Sequence, residues 1–162
     1  MKTLNPTGMK ILKIFHLLFA IMWIGGVMAL ICVELFGHPT DPQMTMMSAT
    51  DQLIIDLWFL IPGGIGIVIT GILYGVFTKW GFWKHTWLKV KWVLTVLLVL
   101  IGAGYMGVLI KKNIVVVQSA LDNSGNMSQY WDNVLNISVS GIIQIIGFIC
   151  IIIISVFKPW KK

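Results

Sequence analysis

His16 stands in a stretch, Ile14 to Val33 (IFHLLFAIMWIGGVMALICV), that has no other ionisable group and is long enough to cross a bilayer. An imidazole in hydrocarbon is expensive unless it faces a bundle interior and meets a partner or cofactor there. Two further groups can join it if the first and third apolar helices are neighbours. At a helical rise of ~1.5 Å per residue, Lys91 lies about 7–8 Å inside its own apolar run, the same depth as His16, with His85 at the mouth of that run. Two imidazoles and an ammonium in such a place suit a haem. Imidazoles ligate its iron, an apolar bundle supplies burial, and Lys89 or Lys91 can neutralise its propionates. No Cys or carboxylate accompanies these residues at that boundary, which argues against a bare zinc or copper ion. The plainer reading gives His16 a hydrogen bond to a neighbouring helix, lets Lys91 snorkel and leaves His85 interfacial.

His38 cannot share a metal with His16. It is 22 residues further on, roughly 33 Å along a helix, and so belongs to the opposite face. There it begins the segment GHPTDPQMTMM, where Met44, Met46 and Met47 follow it. Thioethers with an imidazole suit Cu(I), so a copper-handling site is a competing reading. The same methionines would also lie comfortably on lipid.

The elements that must position these residues follow from composition. The chain has 162 residues, 57% hydrophobic and 11% charged, with mean hydropathy +0.89. Soluble domains carry about a quarter charged residues. Charge-free windows mark four transmembrane helices at approximately 11–36, 53–78, 86–110 and 133–157. The expected fold is an all-α, up-down-up-down bundle forming one integral membrane domain over 1–162, with no separate soluble catalytic module. The first helix is too long for a signal h-region and lacks a small-residue cleavage site, so it reads as an uncleaved anchor.

All 12 basic residues are lysines, and only Lys111 and Lys112 fall on the side opposite the rest. Lys2, Lys10 and Lys13, then Lys79, Lys84, Lys89 and Lys91, then Lys158, Lys161 and Lys162 share one side; the six acids lie on or near the other. The positive-inside rule puts both termini and the second loop in the cytoplasm of a multi-pass cytoplasmic-membrane protein. The +6 net charge reflects that topology and gives no argument for nucleic acid. Absence of Arg points to an AT-rich bacterial genome. Cys32 and Cys150 fall at different depths, too far apart for a disulfide.

Three patterns remain. Pro62 is expected to kink helix 2, whose Gly63, Gly64, Gly66, Gly71 and Gly75 either permit close helix packing or leave room for a flat ligand. Asn136, Ser140 and Gln144 form a polar stripe on helix 4, for interhelical hydrogen bonds or a substrate path. Trp80, Trp83, Trp87 and Trp92 suit an interfacial aromatic belt, and Ser119–Tyr130 reads as a polar, flexible outer loop.

Helix 1 reads KIFHLLFAIMWIGG, with Trp23 seven residues after His16 and Gly26 ten after, and helix 3 opens WLKVKWVL. Together these resemble the HemJ-type protoporphyrinogen oxidases and their relatives, the CopD-like and DUF2269-type small integral membrane proteins. The resemblance covers helices 1 to 3 and implies haem b. His16 takes the place of the family's helix-1 histidine, Lys91 that of its lysine, and Trp23 joins the cofactor-binding set. The chain departs from the oxidases at Glu34-Leu35-Phe36-Gly37-His38, where they carry Arg-Leu-Phe-x-x-His, and at Ile101-Gly102, where they carry Tyr-His. It also resembles small haem-responsive membrane proteins of anaerobic Gram-positive bacteria, which hold haem without turning over a substrate. The expectation is therefore a haem-binding protein, with His16 as axial ligand and His85 as the second. A quinone or a membrane redox partner would exchange electrons with it. An oxidase passing electrons from a porphyrinogen to quinone is the alternative.

Overall fold

A computed structural model describes residues 4–78, 81–122 and 125–160. They form four long helices: α1 (Pro6–Phe36), α2 (Pro42–Phe77), α3 (Thr86–Leu121) and α4 (Ser128–Phe157). Each is long and apolar enough to span a membrane. There is no strand among the described residues. Lys2, Lys79, Trp80, Lys161 and Lys162 lie outside them.

All four expected windows fall within these helices to a residue, but the helices run past them into polar sequence. Asn5 caps α1 by accepting the Gly8 N–H at 2.7 Å, and Asp41 caps α2 by accepting the Met44 N–H at 2.9 Å. Proline follows each cap at the first helical position, where its missing N–H has no partner to lose. The region expected as a flexible loop, Ser119–Tyr130, is corrected in the same way. α3 continues to Leu121 and α4 starts at Ser128. These polar turns persist because they pack: Ala49, Val117 and Tyr130 are buried together, with Met46, Ile114 and Val134 against them.

Each helix packs on its sequence neighbours, and α4 closes back on α1, leaving α1 and α3 diagonally opposed. The main core collects Trp23, Val27, Leu30, Leu60, Leu98, Ile110, Ile137 and Phe148. Close approach of α1 and α2 depends on glycine. A Cβ at Gly63 would come within 2.7 Å of the Trp23 backbone nitrogen, and one at Gly66 would overlap the Phe19 ring.

Pro62 follows a π turn, Asp56–Leu60, where the Ile61 N–H reaches back to the Asp56 carbonyl. Proline cannot donate to the carbonyl four residues earlier, and the wider turn accommodates that loss. A second π turn, Leu100–Met106, interrupts α3 at a glycine-rich stretch.

In the half of the bundle carrying most lysines, α1 stays paired with α2 and α3 with α4, while the two pairs separate. The space between them is a cavity.

Candidate functional site

The cavity has two adjoining chambers of about 360 and 370 Å³. His16, Lys13, Leu17, Ile67, Lys91, Thr95 and Ser155 line both. The first extends between α2 and α3 past Gly71, Tyr74, Gly75, Trp87 and Trp92. The second extends between α1 and α4 past Ala20, Trp23, Phe148 and Ile151, reaching Ile152 and Val156 at the bundle surface. Volumes of this order are those of small-molecule sites, which are mostly apolar with a few convergent polar groups.

His16 is held by α2. Its Nδ1 lies 2.7 Å from the Thr70 hydroxyl, and that hydroxyl donates to the Gly66 carbonyl at 2.6 Å. A hydroxyl has one proton to give. Thr70 therefore accepts from His16, Nδ1 carries the ring proton, and Nε2 keeps its lone pair. Tyr74 meets the imidazole edge-to-face, with ring centroids 5.6 Å apart. The ring is thus fixed in both tautomer and orientation.

The cations around it come from two helices and the end of a third. Lys13 lies on α1 and Lys91 on α3; Lys158, just past α4, sets its ammonium 6.0 Å from the centre of the Trp87 ring. Lys158 is itself the left-handed residue that ends the helix, with φ 46°, and its N–H bonds to the Ile154 carbonyl. The hydroxyls of Thr95 and Ser155 both donate to carbonyls of their own helices, at 2.9 and 2.6 Å. Trp23 is buried, packs edge-to-face on Phe148 at 5.0 Å, and forms one end of the second chamber.

His16, Lys91 and Trp23 are brought together around this space. They meet although α1 and α3 are not packed as neighbours, because the cavity itself lies between those helices. His85 is elsewhere. It precedes α3 as the capping residue, stacks beside Trp87 with centroids 6.3 Å apart, and is not in the wall of either chamber. Six residues of α3 put it roughly 9 Å below Lys91. Lys89 is exposed, outside the wall.

Both readings of the glycines hold, at different positions. Gly63 and Gly66 seat α1, whereas Gly71 and Gly75 admit Trp92 and Phe82 and line the first chamber. The expected tryptophan belt is corrected in part. Trp83 is exposed, but Trp87 is buried in the cavity wall and Trp92 turns inward with it. Thr70, Tyr74, Lys13 and Lys158 were missed in the sequence. Thr70 carried a usable signal, as the one aliphatic hydroxyl inside the glycine-rich span 61–77, but its register to His16 depends on the crossing of α1 and α2.

The His38 segment at the opposite end shows no comparable convergence. His38 is exposed, as are Met44 and Met47, while Met46 packs into the small core. No group of three or more His, Cys, Asp or Glu close enough for a metal ion occurs among the described residues. Cys32 and Cys150 are free thiols on the bundle surface.

Comparison with curated proteins and with solved structures returned no match. A family model did match, and its extent takes in every cavity residue from Lys13 to Lys158. That model, DUF2269, is described as a predicted integral membrane protein and covers residues 10–159, so the chain belongs to this family of integral membrane proteins.

Proposed function

We propose that this protein binds haem b in the lysine-rich half of the bundle, at the cytoplasmic leaflet, for sequestration or electron transfer. The observation that carries this reading is the His16–Thr70 pair. An iron-binding histidine needs one nitrogen unprotonated and the other anchored by an outer partner. His16 meets both conditions, and it does so at the wall of a cavity large enough for a flat macrocycle.

The remaining lining fits the same group. Gly71 and Gly75 leave room along one wall, while Trp87, Trp92 and Tyr74 offer aromatic faces. Lys13, Lys91 and Lys158 are placed to neutralise carboxylates that point toward the membrane boundary. Lys91 lines both chambers, which makes it a candidate for the second iron ligand as well as for a propionate. Bound haem would supply one-electron redox chemistry, its potential tuned by the axial ligands and by burial. The protein's part is to hold the imidazole in one tautomer, exclude water with Trp23 and Phe148, and fix orientation by charge. The second chamber, which reaches the lipid-facing surface at Ile152 and Val156, suits a membrane-soluble partner such as a quinone.

Haem added to the detergent-purified protein is expected to give a Soret band, with a shift between the oxidised and reduced forms. His16→Ala should weaken binding at least tenfold and alter the spectrum. An unchanged spectrum and affinity in His16→Ala would overturn the assignment.

A further inference from the structure

The half of the bundle that carries the acids has its own buried polar set, away from the haem cavity. Gln52 and Asp56 are 1% exposed, and Asn113 and Gln144 are fully buried. Asp56 Oδ2, Gln144 Oε1, Asn113 Nδ2 and both amide atoms of Gln52 have no hydrogen-bond partner among the described residues. Buried polar atoms are normally paired, with protein or with ordered water.

Asp56 and Gln144 lie at the two π turns, with Gln52 and Asn113 further toward the acidic end. Gln52 lies one helical turn before Asp56, which opens the π turn of α2. The Asp56 carboxylate sits beside Gly107, immediately after the π turn of α3, and the Gln144 amide sits beside Gly102 within it. The Gln144 Nε2 donates to the Met106 sulfur at 2.8 Å, and Asn113 accepts from Asn133 at 2.8 Å. π turns recur at functional sites.

The orphaned atoms specify their occupant. They include N–H donors and three oxygen acceptors. A bare metal cation would satisfy only the oxygens and an anion only the N–H groups, whereas water satisfies both. Asp56 is 21 residues from Phe77, about 31 Å along α2, which places it at the far edge of a hydrocarbon layer of about 30 Å. That end is the shorter way to bulk water, past the small cluster of Ala49, Val117 and Tyr130. Towards the haem cavity, Trp23, Leu60, Leu98 and Phe148 form an apolar layer that closes the path.

We propose that Asp56 is a proton-exchange site, linked to the acidic end of the protein by a short buried water chain that Gln52, Asn113 and Gln144 hold. The carboxylate takes a proton from hydronium, giving the acid and water, and returns it to the same side. Charged groups around it are few. Lys111 of α3 acts on it electrostatically; in the same half, α1 carries Glu34, itself hydrogen-bonded to Ser138, and α4 carries the buried Tyr130 phenol with the neutral Asn133, Ser140 and Gln144. The site is a half-channel, open at one end, and it does not rest on haem binding.

Infrared spectroscopy of the full-length protein in lipid nanodiscs, stepped in pH and exchanged from H2O to D2O, tests this. Wild type should show a titrating carboxylic-acid C=O band that shifts in D2O. Asp56→Asn should remove that band, Glu34→Gln should keep it, and Asp56→Glu should move it. Wild-type and Asp56→Asn spectra that match throughout, or a band that D2O never shifts, would overturn the proposal. Radiolytic footprinting gives a second readout that needs no variant. Met106 is fully buried, so its oxidation reports bound water beside Gln144. A Met106 that stays unoxidised would remove the water chain, and protection by Na+ would make this a sodium site instead.

Discussion

On the haem proposal, Thr70 decides which nitrogen of His16 would face the iron. Its hydroxyl gives its proton to Gly66 and takes the one on Nδ1, so a change at Thr70 acts on a group it never lets touch the ligand. Thr70→Val keeps the shape and deletes the acceptor. Haem affinity, read by titration of the Soret band, is expected to fall about 10–100-fold, the range for losing an outer partner of a ligating histidine. Thr70→Ser should restore most of it. The two candidates for the second ligand separate at the same scale. Lys91→Ala should alter the spectrum or weaken binding, because Lys91 lines both chambers, whereas His85→Ala should leave both near wild type. The reverse pattern would mean that the segment before α3 moves to bring His85 to the iron.

Helix pairing rests on a few glycines whose neighbours differ sharply. A Cβ at Gly63 would come within 2.7–2.9 Å of the Trp23 backbone nitrogen and Cα, which cannot yield without parting α1 from α2. At Gly64 the nearest atoms are those of the Trp23 ring at 3.9–4.0 Å, an ordinary contact. Gly63→Ala is therefore expected to destabilise the bundle by about 1–3 kcal/mol, the usual cost of overpacking, and Gly64→Ala far less. Thermal unfolding in detergent, followed by circular dichroism, compares the two directly. Equal effects would show that the crossing is looser than its geometry. Because Trp23 also ends the second chamber, Gly63→Ala should weaken haem binding in step.

At the scale of the whole molecule, orientation decides which leaflet holds the cavity. Lys10, Lys13, Lys84, Lys89, Lys91 and Lys158 share one end, Lys111 and Lys112 the other, so the positive-inside rule predicts a cavity at the cytoplasmic leaflet. Single cysteines in a Cys32→Ser, Cys150→Ser background can check this. With a membrane-impermeant maleimide on intact cells, Asp122→Cys should be labelled and Lys84→Cys should not. Labelling of Lys84→Cys alone would invert the topology and move the haem proposal to the outer leaflet. The two polar sites would then exchange sides together, since Trp23, Leu60, Leu98 and Phe148 separate them.

Sequence by itself determined the number of helices, their apolar spans and the segregation of lysine from acid, because bilayer thickness and desolvation act on composition through short windows. It also singled out His16, Lys91 and Trp23, which a rise of ~1.5 Å per residue and a family resemblance could rank. The helix ends were less legible. The caps at Asn5 and Asp41 and the packing of Val117 on Tyr130 carry helices past the hydrophobic windows. On α4 the interior stripe proved to be Asn133, Ile137, Ser140 and Gln144, with Asn136 outside bonding to its own helix at the Asp132 carbonyl. Only the tertiary structure decided that α1 and α3 stand apart across a cavity, that Thr70 reaches His16, that His85 stays outside the wall, and that Asp56 faces Gly107. Each of these depends on the rotation and register of one helix against another. Glycines and aromatic side chains far apart in the chain set those, and no local window contains both partners.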